Sequence, residues 1–470
     1  MLTKYGWCII MDYEKKRDMI LHGDIKKALL KMAIPLLLSN LSQTLYNLTD
    51  TYWVGKIGSL EVAAASFVWP VLFFVITIGI GISSAGTSLM SQYNGLRDKD
   101  NARLIAGQIF SLTIVFSIVM TIIGIIVSPY VLRWMGATGE LYDKSLTYLR
   151  IMFLSTPVSY TYMVFNSVKT SEGNTLTPMI ISSLGVVLNM ILDPLFIINF
   201  RMGIIGAAIA SVISQGVFLI LIYPLLFRKK DGIYIKKCNL KLRMDKVIKI
   251  FKIGLPSTIG TSMESLGFII LNSFIVTYGN TTLAAYSVAN RINSMVFMPG
   301  MAIGGAIVSI IGQNIGADQI DRVKKAFKTA ALYSFTISMT LGIILFIYAE
   351  NALKIFLPLE QDLPTVIEGT EYMKLMALSL FLVGMNDLLN GTFQGSGHTL
   401  YSMMISMGRL WIFRIPMIII FQNFTDLGST GVWYAMVLSN FLTTIMGFLF
   451  FFFGKWERRV VEKSPVYDQD

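Results

Sequence analysis

Apolar residues run through this chain in long stretches, separated by short polar segments. A helix that crosses a bilayer needs about 20 apolar residues. Twelve stretches qualify: 29–55, 64–92, 103–127, 145–169, 174–198, 204–227, 249–276, 284–313, 324–348, 368–394, 398–420 and 430–453. Several are longer than a crossing needs, which predicts tilt, kinks or projection beyond the bilayer. The pattern predicts an all-α polytopic membrane protein with twelve transmembrane helices. An even number of crossings leaves both termini on one side.

Composition agrees. Of 470 residues, 54% are hydrophobic and 14% charged, and the mean hydropathy is +0.63, whereas soluble domains are roughly a quarter charged. The net charge of +11 would suggest nucleic acid for a soluble protein; in a membrane protein it points to basic cytoplasmic loops and no nucleic acid. With the N-terminus cytoplasmic, 29 of the 39 Lys and Arg fall on the cytoplasmic side, 7 outside, and 3 (Arg291, Arg409 and Arg414) within helices. That bias sets the orientation: a cell-membrane protein with both termini in the cytoplasm. Ten of these residues lie in "FRKKDGIYIKKCNLKLRMDKVIKIFK", the natural linker. The external segment 349–371 is acidic, with Glu350, Glu360, Asp362, Glu368 and Glu371, and reads as solvated loop. No signal peptide is expected: "WCII" is too short. Met11 begins what reads as a full cytoplasmic lead-in, so residues 1–10 look like an upstream extension. Cys8 and Cys238 form no disulfide framework, and His22 and His398 have no metal-ligand spacing.

The chain repeats itself. A shift of 221 residues (35 to 256) places 35–95 on 256–316 without a gap. Pro35 meets Pro256, and Gly58, Ala63, Ala64 and Ser66 meet Gly279, Ala284, Ala285 and Ser287. Gly79, Ile82, Ala85, Ser88, Gln92 and Gly95 also meet identical residues. Further on, "NSVKTSEG" (166–173) aligns with "NGTFQGSG" (390–397). The expected organisation is a tail (1–28), an N-lobe of six helices (29–227), a basic linker (228–248), a C-lobe of six helices (249–453) and a tail (454–470). Six crossings per repeat give both halves the same orientation, and parallel repeats mark transporters that bind substrate between their halves.

Polar residues inside the spans narrow the chemistry. Asp50 lies in "LYNLTDTYWVG" and Asp193 in "VVLNMILDPLFI", with Asn189 one turn before it on the same face. Asn166 and Ser211 complete the first-half set. Together these offer oxygen ligands to a small hard cation such as Na⁺, or a carboxylate pair that shares a proton. Intramembrane carboxylates are functional by default. The second half carries Glu264, Asp387, Arg291, Arg409 and Arg414, a possible second site or a set of ion pairs that fix helix packing. Pro35 and Pro256 each remove a helical hydrogen bond and favour a bend. No Walker A loop, GxSxG elbow or HExxH occurs, so no enzyme and no cofactor are expected, and an ion gradient is the expected energy source.

"AIPLLLSNLSQTLYNLTDTYWVGKIGSLEVAAAS", "GNTLTPMIISSLGVVLNMILDPLFI", "MGIIGAAIASVIS" and "GLPSTIGTSMES" together resemble the MATE (multidrug and toxic compound extrusion) transporters, over nearly all of 24–455. The resemblance implies two six-helix lobes in a V that open alternately to each side. It implies a monomer that exports organic cations or amphipathic toxins in exchange for inward Na⁺ or H⁺. The family's N-lobe cation site falls on Asp50, Asn189 and Asp193, with Asn166 and Ser211 nearby; Ser211 replaces a threonine. Pro35 matches a helix-bending proline. Glu264 matches a C-lobe glutamate used by other members, and their C-lobe aspartate falls about one turn from Asp387. The rivals are a lipid-linked oligosaccharide flippase of the same superfamily and a non-transporting membrane sensor or scaffold.

Overall fold

The computed structural model describes residues 13–228, 232–357 and 363–462. Within them the regular structure is helical. A short helix α1 (Tyr13–Leu21) is followed by α2 (Ile25–Gly55), α3 (Ser59–Gly95), α4 (Lys99–Trp134), α5 (Gly139–Ser171), α6 (Leu176–Pro194) and α7 (Gly203–Phe227). The second half repeats the series with α8 (Met244–Val276), α9 (Asn280–Gly316), α10 (Ile320–Lys354), α11 (Leu363–Gly395), α12 (Thr399–Met407), α13 (Ile415–Phe424) and α14 (Ser429–Phe453). Two π-helical segments interrupt the series: Leu195–Asn199 extends α6, and Gly408–Arg414 joins α12 to α13 into one crossing. Each predicted span falls on one of these crossings. Eleven are long and apolar enough to span a membrane. The twelfth is α5, whose apolar run is diluted by Ser, Thr and Tyr.

The chain divides into two compact units. Among the described residues one comprises 13–22, 38–255 and 461–462, and the other Gly23–Leu37 and 256–460. The divisions fall inside α2, after Leu37, and inside α8, at Pro256. Both helices continue through their prolines. The repeat is visible in the backbone. Arg97 and Asp318, 221 residues apart, both adopt the left-handed conformation, at φ 64° and 57°. Each makes the same tight turn into the next helix.

Sequence patterning missed α1. Its Tyr13, Ile20 and Leu21 are buried. The Tyr13 hydroxyl donates to Asn94 Oδ1 at 2.8 Å, and Asn94 Nδ2 donates to the Ser171 carbonyl. The Lys99 ammonium, 2.5 Å from Glu14, holds that carboxyl below the usual carboxylate range. The expected linker is partly built into the first unit. Gln108 Nε2 donates to the carbonyls of Asn239 and Lys241, and its Oε1 accepts from the Arg243 amide. Residues 1–12, with Cys8 and the alternative start at Met11, lie outside the described residues, as do 229–231, Glu360 and Asp362.

Close helix packing relies on missing side chains, as is usual where lipid supplies no hydrophobic drive between helices. In the second unit a Cβ on Gly391 of α11 would lie 2.0 Å from the Gly304 carbonyl oxygen of α9. One on Gly395 would lie 2.4 Å from the Val308 oxygen. In the first unit a Cβ on Gly185 of α6 would meet the Phe218 ring of α7 at 1.8 Å. The second unit also carries a charged tie: Arg409, in the π segment, pairs with Glu264 of α8, both side chains being largely withdrawn from solvent.

Two stability outcomes follow, both read as thermal melting in detergent. Gly391→Val should lower the midpoint strongly, by the equivalent of about 3 kcal/mol, the upper end of overpacking costs. Gly216→Ala, with open space around it, should not. Equal midpoints for the two would contradict the packing. Glu264→Gln and Arg409→Met should each cost about 2 kcal/mol, because each leaves a half-buried charge without its partner. The double variant should cost clearly less than their sum. Strict additivity would mean that the pair does not couple α8 to the π segment.

Candidate functional site

The first unit brings Asp50 and Asp193 together by helix register. The crossings α2 and α6 are each the odd member of their hairpin and run the same way. Ser39 Oγ lies 3.3 Å from Ser182 Oγ, and Ser42 Oγ lies 3.1 Å from Ser183 Oγ. Asp50 is eleven residues beyond Ser39 (39 to 50), and Asp193 is eleven beyond Ser182 (182 to 193). Eleven residues are just over three turns, so both carboxylates return to the face their serines occupy, roughly 16 Å further along. The same arithmetic places Tyr46 and Asn189, each seven residues past its serine, at one level.

The geometry there is specific. Asn189 Nδ2 donates to Asp193 Oδ1 at 3.1 Å, and both residues are fully buried. Tyr46 and Ser211 share a hydroxyl–hydroxyl hydrogen bond of 2.7 Å. Asp50, Tyr46 and Tyr148 line one cavity wall, and Asp50 stands within electrostatic reach of Asp193. Asp50 Oδ1, Asp193 Oδ2 and Asn189 Oδ1 are buried and accept no hydrogen bond. Among the described residues no Lys, Arg or His pairs with either aspartate. These three free oxygens, two from carboxylates and one from an amide, have the chemistry to take a small positive charge. Burying an ionised carboxylate is costly unless it is paired.

Asp50 also borders a cavity of about 380 Å³ whose wall includes Gln43, Asn47, Trp69, Tyr148 and Gln215. Asp193 and Asn189 are not part of that wall. The cavity therefore combines an aromatic surface with a single carboxylate, which suits a flat or cationic organic molecule. Gln43 and Tyr46 stand seven and four residues before Asp50, one helical face, and that spacing would have identified them in the sequence. Tyr148, Trp69 and Gln215 come from other helices and carry no such signal.

The remaining first-half residues divide. Ser211 is buried in the cluster through Tyr46. Asn166 is not in it: it lies eighteen residues along α5 from Tyr148 (148 to 166), roughly 27 Å of helix rise, and its amide oxygen accepts from Thr170. Sequence grouped it with the site by its polarity and by the family resemblance.

The second-half residues do not converge. Glu264 is taken by Arg409. Arg291 is exposed. Asp387, half-buried on α11, faces Gly300 and Gly304 of α9. Arg414 is buried and donates to Ser439 and Asn440.

Comparison with known proteins agrees with this architecture. The model of the MatE family matches residues 35–195 and again 256–420. The probable multidrug resistance protein YoeA of Bacillus subtilis is 30% identical over 90% of this chain and 93% of its own length. The probable multidrug resistance protein NorM of Thermotoga maritima is 26% identical over 93% and 94%. Among solved structures, that of a MATE protein in complex with MaL6 superimposes with a TM-score of 0.88 at 27% identity, covering 92% of this chain and 96% of that one. Two matches to one family model, and relatives aligned over nearly the whole length, show that the chain belongs to the MATE family and is a multi-pass membrane transporter of the multidrug efflux type.

Proposed function

We propose that the protein is an antiporter that exports organic cations or other amphipathic toxic compounds in exchange for inward Na⁺ or H⁺. Asp50 and Asp193, with Asn189 and the Tyr46–Ser211 hydroxyl pair, load the coupling ion. The observation that carries this reading is a pair of carboxylates, Asp193 fully buried and Asp50 half-buried beside a cavity, with no cationic partner for either among the described residues. The distribution of Lys and Arg supports a cytoplasmic location for both termini. A monomer suffices, since one chain holds the whole ion-binding set. The family's coupled relatives make an ion gradient the natural energy source, and no further cofactor is required.

The cycle needs only differential binding. With the site open to the outside, a Na⁺ ion or proton neutralises the carboxylates. The drug's own positive charge then loses its attraction to Asp50, or the loaded site favours a conformation that holds drug poorly. After the drug leaves, the site turns inward, releases its ion to the lower electrochemical potential and accepts drug again. Ion and drug couple because each changes the other's affinity by the same factor. Pro35 supports the motion: it has no N–H for the Lys31 carbonyl, so α2, which carries Asp50, bends there at lower cost. Pro256 occupies the matching place in α8. The two lobes proposed to move are 29–227 and 249–453, joined by the basic linker 228–248.

Two outcomes test this. In reconstituted vesicles, an imposed Na⁺ or H⁺ gradient should drive ethidium, and one of the two should suffice. Asp50→Asn and Asp193→Asn should each abolish gradient-driven movement while leaving the melting temperature unchanged or higher, since a neutral amide is cheaper to bury. Movement unaffected by either substitution would refute the site, and movement of a lipid-linked sugar alone would favour the flippase. Pro35→Ala should slow transport while leaving equilibrium ethidium binding intact; unchanged turnover would remove the bend from the mechanism.

A further inference from the structure

Another cavity in the first unit is walled by charged side chains. It encloses about 560 Å³ between the short helix α1 and the turn that joins α3 to α4. Glu14, Lys15, Arg17 and Asp18 come from α1, and Arg97 and Lys99 from the turn and the start of α4. Four cations thus meet two acids. The volume suits a small molecule, within the range of roughly 300–1,000 Å³, but the wall lacks the apolar surface that such sites usually present.

The acids do not neutralise the cations. Glu14 serves two of them: Arg17 Nη1 donates to it at 2.9 Å, and Lys99 Nζ lies 2.5 Å from it. Asp18 lies 2.8 Å from His22 Nδ1. Among the described residues no carboxylate stands within ion-pair distance of Lys15 or Arg97. Arg17 carries the strongest demand. It is only 6% exposed, and its Nε–H has no acceptor. A guanidinium has five N–H donors and stays charged; Glu14 satisfies one of them. A positive charge held that far from water needs more than a shared, exposed carboxylate supplies.

The wall is held in place by packing. α1 is seated by its buried Tyr13, Ile20 and Leu21. Ile20 occupies the space that a side chain on Gly173 would need: a Cβ there would lie 2.5 Å from the Ile20 Cδ1. Lys99 Nζ stands 4.9 Å from the centre of the Tyr13 ring. The matching corner of the second unit closes itself. Asp318, 221 residues after Arg97 (97 to 318) and in the same left-handed backbone, takes Arg459 at 2.8 Å. At that place the first unit carries a cation, Arg97, with no such partner among the described residues.

We propose that Lys15, Arg17, Arg97 and Lys99 bind the phosphate group of a negatively charged phosphate ester, carried either by an anionic phospholipid or by a soluble molecule. Phosphate offers several strong acceptors at one point. The guanidinium fork matches two of its oxygens, and lysines add point charges. The cavity is larger than a phosphate alone, so it also takes the esterified alcohol. Glu14 and Asp18 offer acceptors to hydroxyls on that alcohol, as in glycerol. The Lys and Arg distribution favours the cytoplasm for this end of the unit, the side on which anionic headgroups concentrate. This inference stands apart from the coupling reaction at Asp50 and Asp193.

The test uses the full chain purified in a neutral detergent at constant ionic strength. Melting midpoints are followed against dioctanoyl-phosphatidylglycerol, glycerol 3-phosphate and, as a zwitterionic control, dioctanoyl-phosphatidylcholine. A ligand of the folded state raises the midpoint in a saturable way. A rise with phosphatidylglycerol alone supports the site and makes the source a lipid; a rise with glycerol 3-phosphate supports it and makes the source a soluble ester. Arg17→Gln should abolish the rise. Arg97→Asn, whose side chain tolerates the left-handed turn, should weaken the apparent affinity roughly tenfold, the scale of one charged hydrogen bond. Where Arg17→Gln does not fold, Arg97→Asn decides alone, since Arg97 is exposed. No saturable rise with either anionic ester, an equal rise with phosphatidylcholine, or a response that survives Arg17→Gln or is untouched by Arg97→Asn would overturn the site.

Discussion

An ionised carboxylate cannot sit unpaired in a medium that holds little water. In bulk water the charge is solvated; in protein at membrane depth it requires a proton, a bound cation or a basic side chain. Among the described residues no basic side chain pairs with Asp50 or Asp193 of the first unit, and Asn189 donates to one of their oxygens. The mobile ion proposed above is the partner that meets this requirement. The helices around the pair are arranged to keep this open. The serine contacts between α2 and α6 set the level of the two aspartates, the hydroxyls of Tyr46 and Ser211 satisfy each other, and Asp50 alone borders the cavity.

The second unit solves the same problem differently. Its acid on α8, Glu264, is neutralised internally by Arg409. A carboxylate tied to a guanidinium gains little from a passing Na⁺ or proton, so that unit is poorly suited to load the coupling ion at Glu264. Two copies of one helical frame have thus acquired opposite polarity at matching crossings. Duplication accounts for this: the glycine contacts that let α9 and α11 touch along their backbones fix the frame and leave the polar positions free to diverge.

The fold was largely legible in the sequence because hydrocarbon imposes strict demands on length and hydrophobicity. All twelve predicted stretches lie on helices, including α5, whose Ser, Thr and Tyr content brings it nearest to failing. Ends were short by a few residues, since helices such as α3 and α9 continue past the apolar run into polar caps. The short α1 escaped notice, because nine residues, five of them charged, carry no span-like signal. At the site, Asp50, Asn189, Asp193 and Ser211 were legible as polar residues in apolar surroundings, but that criterion also drew in the remote Asn166. Glu264 reads from sequence either as part of an ion site or as half of an ion pair; the structure shows the pair, but its partner Arg409 is 145 residues away and no local pattern singles it out among the arginines. Tyr148 and Trp69 border the cavity through tertiary packing alone.

The central claim is that drug and coupling ion draw on one pair of carboxylates. Equilibrium binding of ethidium to the purified protein, titrated against Na⁺ at fixed pH and against pH at fixed Na⁺, measures this without transport. The account predicts that one of these ions weakens ethidium binding in a saturable way and that Asp193→Asn, which leaves the cavity wall intact, removes the effect. Ethidium affinity indifferent to both ions, or an ion effect that persists in Asp193→Asn, would contradict it.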